Sequence, residues 1–252
     1  MKVIGLFAVS ITAVMLLFAV EDFPDWADPR SPASLHLSSH YITSTIEETS
    51  VPNIVTSVLA DYRAFDTMLE TAVIFAAGVA VIAILRRPRK KTAKKQKIEV
   101  GRNRTYQDRI IQSVSRQMVP FMQLFALYVV AHGHYSPGGG FQGGVILGAS
   151  FILIGISSDL KTMLERMSEK YNLLLGNIGL IIYAGIGVCC LLLGANFLDY
   201  SILSRILPAT TPVEARSHGM LGIEIGVAIA VMAIMIAIYI NIASDGKYDK
   251  GL

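Results

Sequence analysis

Apolar and polar positions fall into long separate blocks along this chain. Six stretches contain no Asp, Glu, Lys, Arg or His: 3–20, 71–85, 117–131, 135–158, 171–198 and 225–244. A bilayer core about 30 Å thick takes about 20 apolar residues in a helix. The pattern therefore predicts an all-α polytopic membrane protein with six transmembrane helices, two followed by four. Two of the stretches are short. Fifteen residues in each, at about 1.5 Å per residue, reach only about 22 Å, so flanking residues must enter the membrane zone.

For the second span one flank is Arg86, Arg87 and Pro88, which leaves Asp66 and Glu70 on the other. Arg63, Asp66 and Glu70 are three and four apart and share one helix face. For the third span the flanks are Arg116 at one end and His132 and His134 at the other. Arg109, Gln112, Arg116, Pro120 and Gln123 form one stripe, with Pro120 freeing the carbonyl of Arg116. Glu224 lies within the apolar run that starts at Gly219. Ionisable residues at such depth are functional candidates by default. The competing readings are a headgroup-level Glu70, an Arg116 that snorkels to the interface and a Glu224 that bonds a neighbouring helix.

Before the second span, residues 21–52 are polar and carry Pro24, Pro29, Pro32 and Pro52, a composition that predicts irregular chain. From Asn53 the spacing of Ile54, Val55, Val58 and Leu59 predicts a helix that runs straight into the second span. The most distinctive element is GHYSPGGGFQGGVILGAS, residues 133–150. It lacks the Lys-Ser/Thr end of a phosphate-binding loop. Pro137, Gly138, Gly139 and Gly140 predict a tight turn between two spans, followed by Phe141 and a smooth ridge of Gly140, Gly144 and Gly148 for close helix packing. Gly222, Gly226 and Ala230 repeat the ridge in the last span. Irregular backbone at membrane depth persists only when buried in protein or lining a cavity.

Composition agrees: 53% of the 252 residues are hydrophobic and 16% charged. With six spans, no contiguous sequence is left for a Rossmann domain, a P-loop domain or a soluble enzyme core. Basic residues are unevenly spread. If the N-terminus is cytoplasmic, seventeen Lys and Arg face the cytoplasm, eleven of them between Arg86 and Arg109, against four outside, namely Arg30, Arg63, Arg205 and Arg216. Both termini are thus expected in the cytoplasm of a multi-pass cell (inner) membrane protein, with the glycine turn outside. The run RRPRKKTAKKQK reads as a topology determinant that touches anionic lipid, not as a nucleic-acid site. It divides the chain into a two-span unit (1–88), a basic cytoplasmic linker (89–105) and a four-span unit (106–252). The first apolar run also fits a secretory signal, but no A-x-A site follows and a retained helix is the favoured reading.

The two cysteines, Cys189 and Cys190, are adjacent in an apolar run, which suits helix packing and cannot supply an iron-sulfur cluster. His132 and His134 are too few for a metal site, and so are His36 and His40. No metal or cofactor is expected.

The run LYVVAHGHYSPGGGFQGGVILGASFIL resembles the signature of the B subunit of Mrp-type multisubunit Na+/H+ antiporters, and SHGMLGIEIGVAIAV resembles the start of the last helix of that B component. Upstream, VTSVLADYRAFDTMLETAVI resembles the C-terminal region of the large A component of such antiporters, a region that also occurs as a small separate protein within membrane-bound hydrogenases. The resemblance implies a non-catalytic component of a larger membrane assembly, handling Na+ and H+, and points to Asp66, Glu70, His132, His134, Pro137, Gly138, Gly139, Gly140, Phe141 and Glu224. Pumping subunits of such assemblies carry lysines within their spans. None falls inside a span here, so this chain alone is not a complete antiporter. Three readings follow: a component of an antiporter, the same module in a redox-driven complex such as a hydrogenase or ferredoxin oxidoreductase, and a purely structural scaffold.

Overall fold

The computed structural model describes residues 2–86, 106–207, 210–244 and 246. The expected linker 89–105 lies outside the described residues. Among them all regular structure is helical: α1 (Lys2–Glu21), α2 (Ser38–Thr49), α3 (Ile54–Ser57), α4 (Ala64–Leu85), α5 (Tyr106–Ala131), α6 (Gly140–Ser157), α7 (Leu160–Arg166), α8 (Glu169–Leu192) and α9 (Pro212–Ala243). Single π-turns occur at Ala33–Leu37 and Val58–Tyr62, and a 3-10 turn at Tyr200–Arg205. Six helices, α1, α4, α5, α6, α8 and α9, are long and apolar enough to span a bilayer.

Two local expectations are corrected. The polar segment 21–52 is not irregular throughout, because α2 occupies part of it. Its prolines all lie outside 33–49, so none interrupts the helical backbone. Its hydroxyls fold back onto the preceding turn, as with Thr43 Oγ1 to Ser39 O at 2.9 Å and Thr49 Oγ1 to Thr45 O at 2.7 Å. The helix from Asn53 does not feed straight into the second span either. It passes through the π-turn and breaks at Arg63, where φ is −121° and ψ 34°. Side chains take up carbonyls around the break: Thr67 Oγ1 donates to Leu59 O at 2.7 Å, Tyr200 OH to Ala60 O at 2.9 Å and Tyr183 OH to Ala64 O at 2.6 Å.

Internal contacts divide the chain into residues 1–44 and 45–252. In the second unit α9 is the spine, packed against α8, α6, α4 and the Tyr200–Arg205 turn. Its start is fixed by a capping box: Glu214 N donates to Thr211 Oγ1 at 3.2 Å, and Thr211 N donates to the Glu214 carboxylate at 2.8 Å, with Pro212 at the first position. Both ridges lie at helix contacts. A Cβ on Gly144 would stand 2.7 Å from Ala228 O, so α6 and α9 touch backbone to backbone. Gly226 and Ala230 face Gly179 of α8 in the same way.

Candidate functional site

A cavity of about 180 Å³ lies at the glycine-turn end, between the broken helix 54–85, the turn itself and α9. Thr56, Thr67, Glu70, Phe141, Gln142 and Glu224 supply much of its wall, and Gly138 and Gly140 supply backbone. Two sequence candidates from distant parts of the chain, Glu70 and Glu224, thus line one space.

The turn is held by side chains before the break. Asn53 caps α3 by accepting from Val55 N at 3.1 Å, and its Nδ2 donates to Gly133 O at 2.7 Å and Ser136 O at 2.9 Å. Thr56 Oγ1 donates to Gly133 O at 2.7 Å, and Asn53 N donates to His134 O at 2.9 Å. This clamp accounts for several carbonyls of a non-helical segment. Gly139 has φ +106°, a conformation that favours glycine. A Cβ there would also lie 2.5 Å from Glu224 Oε1, and one on Gly133 would lie 2.9 Å from Glu224 Oε2. Glycine backbone therefore wraps the Glu224 carboxylate, which is buried and whose Oε2 makes no hydrogen bond.

His134 is buried beside it, with Nε2 3.9 Å from Glu224 Oε2 and Nδ1 3.3 Å from Ser217 Oγ. Burial, and then the charge of His218, lowers the proton affinity of the His134 imidazole. His132 points elsewhere: it is exposed, stacks on Tyr128 with centroids 4.6 Å apart and meets the Tyr135 ring at a tilt, with centroids 5.8 Å apart.

Other candidates also lie apart from the cavity. Asp66 pairs with Arg63, whose Nε donates to its Oδ2 at 2.7 Å, and both are substantially exposed. Arg116 and Pro137 are exposed. From the stripe on α5, Gln123 Nε2 donates to Ser150 Oγ at 3.3 Å. α5 continues through Pro120 without a break. His36 and His40 stack, with centroids 6.3 Å apart.

Two polar clusters carry no local sequence signal. Near the cavity, Arg216 Nε donates to Asp61 Oδ2 at 2.7 Å, and the guanidinium lies 5.9 Å from the Tyr62 ring centroid. Tyr62 OH donates to Glu48 at 2.5 Å. Burial raises the Asp61 carboxyl above its ordinary range, partly offset by the Arg216 guanidinium, while burial and then the Glu48 carboxylate push Tyr62 up to about 12. At the opposite end of α9, Arg86 forms an ion pair with Glu169, a fully buried residue, and donates from Nε to Asn241 Oδ1 at 2.9 Å. Asn241 Nδ2 and Asn172 Nδ2 donate to Ala237 O and Ala233 O at 2.8 and 2.7 Å.

Comparison with known proteins gives two family matches along the chain. A family model for the domain related to the MnhB subunit of Na+/H+ antiporters matches residues 110–237, and a model for MbhE, a component of MBH, matches residues 6–102. A Rhizobium meliloti (strain 1021) protein assigned by name as the A/B component of a K+/H+ antiporter is 28% identical over 197 residues, covering 71% of this chain and 19% of its own length. A Staphylococcus aureus (strain Newman) protein assigned as antiporter subunit mnhB2 is 24% identical over 136 residues, covering 54% of this chain and 94% of its own length. The chain thus spans about a fifth of the first relative and nearly all of the second. Among solved structures, a chain of the Mrp complex from Dietzia sp. DQ12-45-1b superposes with a TM-score of 0.67 at 23% identity, over 99% of this chain and 26% of that one. A chain of the membrane-bound sulfane sulfur reductase, an archaeal respiratory membrane complex, superposes with a TM-score of 0.57 at 22% identity, over 93% and 97% respectively. Six candidate spans, the glycine-turn architecture and the match over residues 110–237 lead to one assignment: this multi-pass membrane protein belongs to the family of domains related to the MnhB subunit of Na+/H+ antiporters.

Proposed function

We propose that the chain is a membrane subunit of a multisubunit cation/proton antiporter module, itself catalysing no reaction, in which Glu70 and Glu224 form part of the ion path and a proton passes between Glu224 and His134. The observation that carries this reading is the shared cavity: a buried carboxylate with a free oxygen and a second carboxylate line one space, and the His134 imidazole stands beside it. A group that accepts an ion and a neighbour that accepts a proton are what exchange requires. The partners are the other subunits of an Mrp-type assembly. The basic stretch after Leu85 faces the cytoplasm and anionic lipid, and it joins a unit at 1–88 to a unit at 106–252. The MbhE match ends at residue 102 and the MnhB-related match begins at residue 110, which supports a change of unit between those positions.

A second reading places the same unit in a redox-driven complex, and the match of residues 6–102 to the MbhE component of MBH favours it. Copurification of peripheral catalytic subunits in mild detergent would select it.

The test is Na+-dependent pH change in vesicles containing Glu70→Gln or Glu224→Gln complexes. The amide keeps the side chain's volume but cannot exchange a proton or neutralise a cation, so transport should fall while the complex persists. Wild-type rates in both variants at equal complex abundance would leave the carboxylates as packing elements and favour the scaffold reading.

A further inference from the structure

We propose that the polar side of α5, formed by Arg109, Ser113, Arg116, Gln117 and Pro120, is the seat of a membrane-spanning helix from a neighbouring subunit, and that this helix carries a carboxylate opposite Arg116. The inference rests on the multisubunit assembly named above and not on the ion path, since none of these residues lines the cavity.

The first observation is where α5 keeps its polar residues. Steps of three and four link the five positions, so they share one face of the helix. All five are exposed. α5 rests on α6 through another side: Val119 is buried in the core beside Ile154, and a Cβ on Gly143 would stand 3.0 Å from Ala126 O. α5 is also the least apolar of the six candidate spans. A helix that met only lipid on its open side would carry its apolar residues there, not two guanidinium groups and an amide.

Depth says what must cover that face. In the candidate span Arg109–Ala131, Arg116 stands seven residues from the start, about 10 Å along the axis, with fifteen charge-free residues beyond it. Ionisable side chains at such depth face protein or water and are paired. Among the described residues no carboxylate is paired with Arg116. The backbone makes an independent demand. Pro120 has no N–H, so Arg116 O loses its helical donor on the same exposed face, and a bare carbonyl is not tolerated against lipid. A lipid phosphate at the membrane surface could meet a snorkelling guanidinium, but it brings no donor to Arg116 O and no partner to Gln117 at this depth. A helix with a carboxylate and a polar neighbour serves all three groups. A second copy of this face would set guanidinium against guanidinium. The apolar run 3–20 contains no carboxylate, so the first helix of this chain does not supply one.

The experiment uses the native complex in its membrane. A photoreactive benzoylphenylalanine introduced at Gln117 should crosslink to a membrane-embedded subunit, at a helix that carries an Asp or Glu. Crosslinking to lipid alone, or to a helix without a carboxylate, would overturn the proposal. Arg116→Glu should then lower the yield of that subunit, copurified in mild detergent, at least about tenfold at equal abundance of this chain, because two carboxylates would meet where a pair stood. Replacing the crosslinked carboxylate by Lys in the same complex should restore the yield. Normal copurification of Arg116→Glu, with or without loss of bound anionic lipid by native mass spectrometry, would overturn the helix seat. Failure of the Lys exchange to restore the yield would overturn the charge pairing. Both negative results leave the Glu70 and Glu224 transport assay untouched, whereas a wild-type chain that copurifies with no membrane subunit would overturn the seat and the module reading together.

Discussion

Breaking the Arg86–Glu169 pair should damage the protein more than any other single charge removal at that end of the bundle. Glu169 is fully buried and the Arg86 side chain is only 13% exposed. The pair joins the end of α4 to the start of α8, and through Asn241 it reaches the end of α9. Arg86→Met leaves a buried carboxylate without its counter-charge, and Glu169→Leu leaves a buried guanidinium. Removing one partner of a buried pair costs about 3–5 kcal/mol. Each 1.4 kcal/mol is about a factor of ten, so a single variant shifts the balance between docked and opened helices by about a hundredfold or more. Removing both partners is a different perturbation, because an apolar pair of similar volume avoids the desolvation of two ions. The residual cost in Arg86→Met/Glu169→Leu is then mainly the Asn241 Oδ1 left without its donor, about 1–3 kcal/mol. The assay is the thermal midpoint of the monodisperse protein in mild detergent for wild type, both single variants and the double variant. The expected order is wild type, then the double, then both singles. Singles with a wild-type midpoint, or a double no better than the worse single, would refute the claim that the pair is a buried, mutually compensating lock.

Gly144→Leu should fail at assembly before it affects chemistry, because a Cβ at that position already meets Ala228 O at 2.7 Å; copurification with all partners at normal yield would defeat this. Single cysteines at Lys94 and Ser136 should be labelled by membrane-impermeant reagents from opposite sides, Ser136→Cys from outside and Lys94→Cys only after the membrane is opened. Labelling of Lys94→Cys from outside would reverse the orientation.

The fold was legible wherever a property repeats along the chain. Charge-free length gave the six spans, and small residues at every fourth position gave the two ridges that bring α6 and α8 onto α9. The break at Arg63 was not legible, because the run Ile54, Val55, Val58 and Leu59 has unbroken helical spacing. Thr67 meets one acceptor at the break locally, but the other two are met by Tyr183 and Tyr200, well over a hundred residues away. The same limit hid α2: a Ser- and Thr-rich segment reads as loop by composition, yet its hydroxyls bond within the helix.

At the site, each half was readable alone and their meeting was not. Glu224 stood out as a carboxylate in an apolar run, Glu70 as a charge drawn inward by a short span, and the glycines as a tight turn. Only folding shows that the glycines are bare because the Glu224 carboxylate occupies the space their side chains would fill. Asn53 did carry a signal, since a helix starting at Ile54 needs a cap and Asn is a favoured one. Its second task, holding Gly133 and Ser136, depends on residues about eighty positions on. Arg86 shows the opposite error. Within a dense basic run it counts as one more topology charge, yet as the first residue after α4 it turns into the protein and meets Glu169. A run of like charges therefore does not have one role. The residue nearest the span is the one that a buried carboxylate can capture.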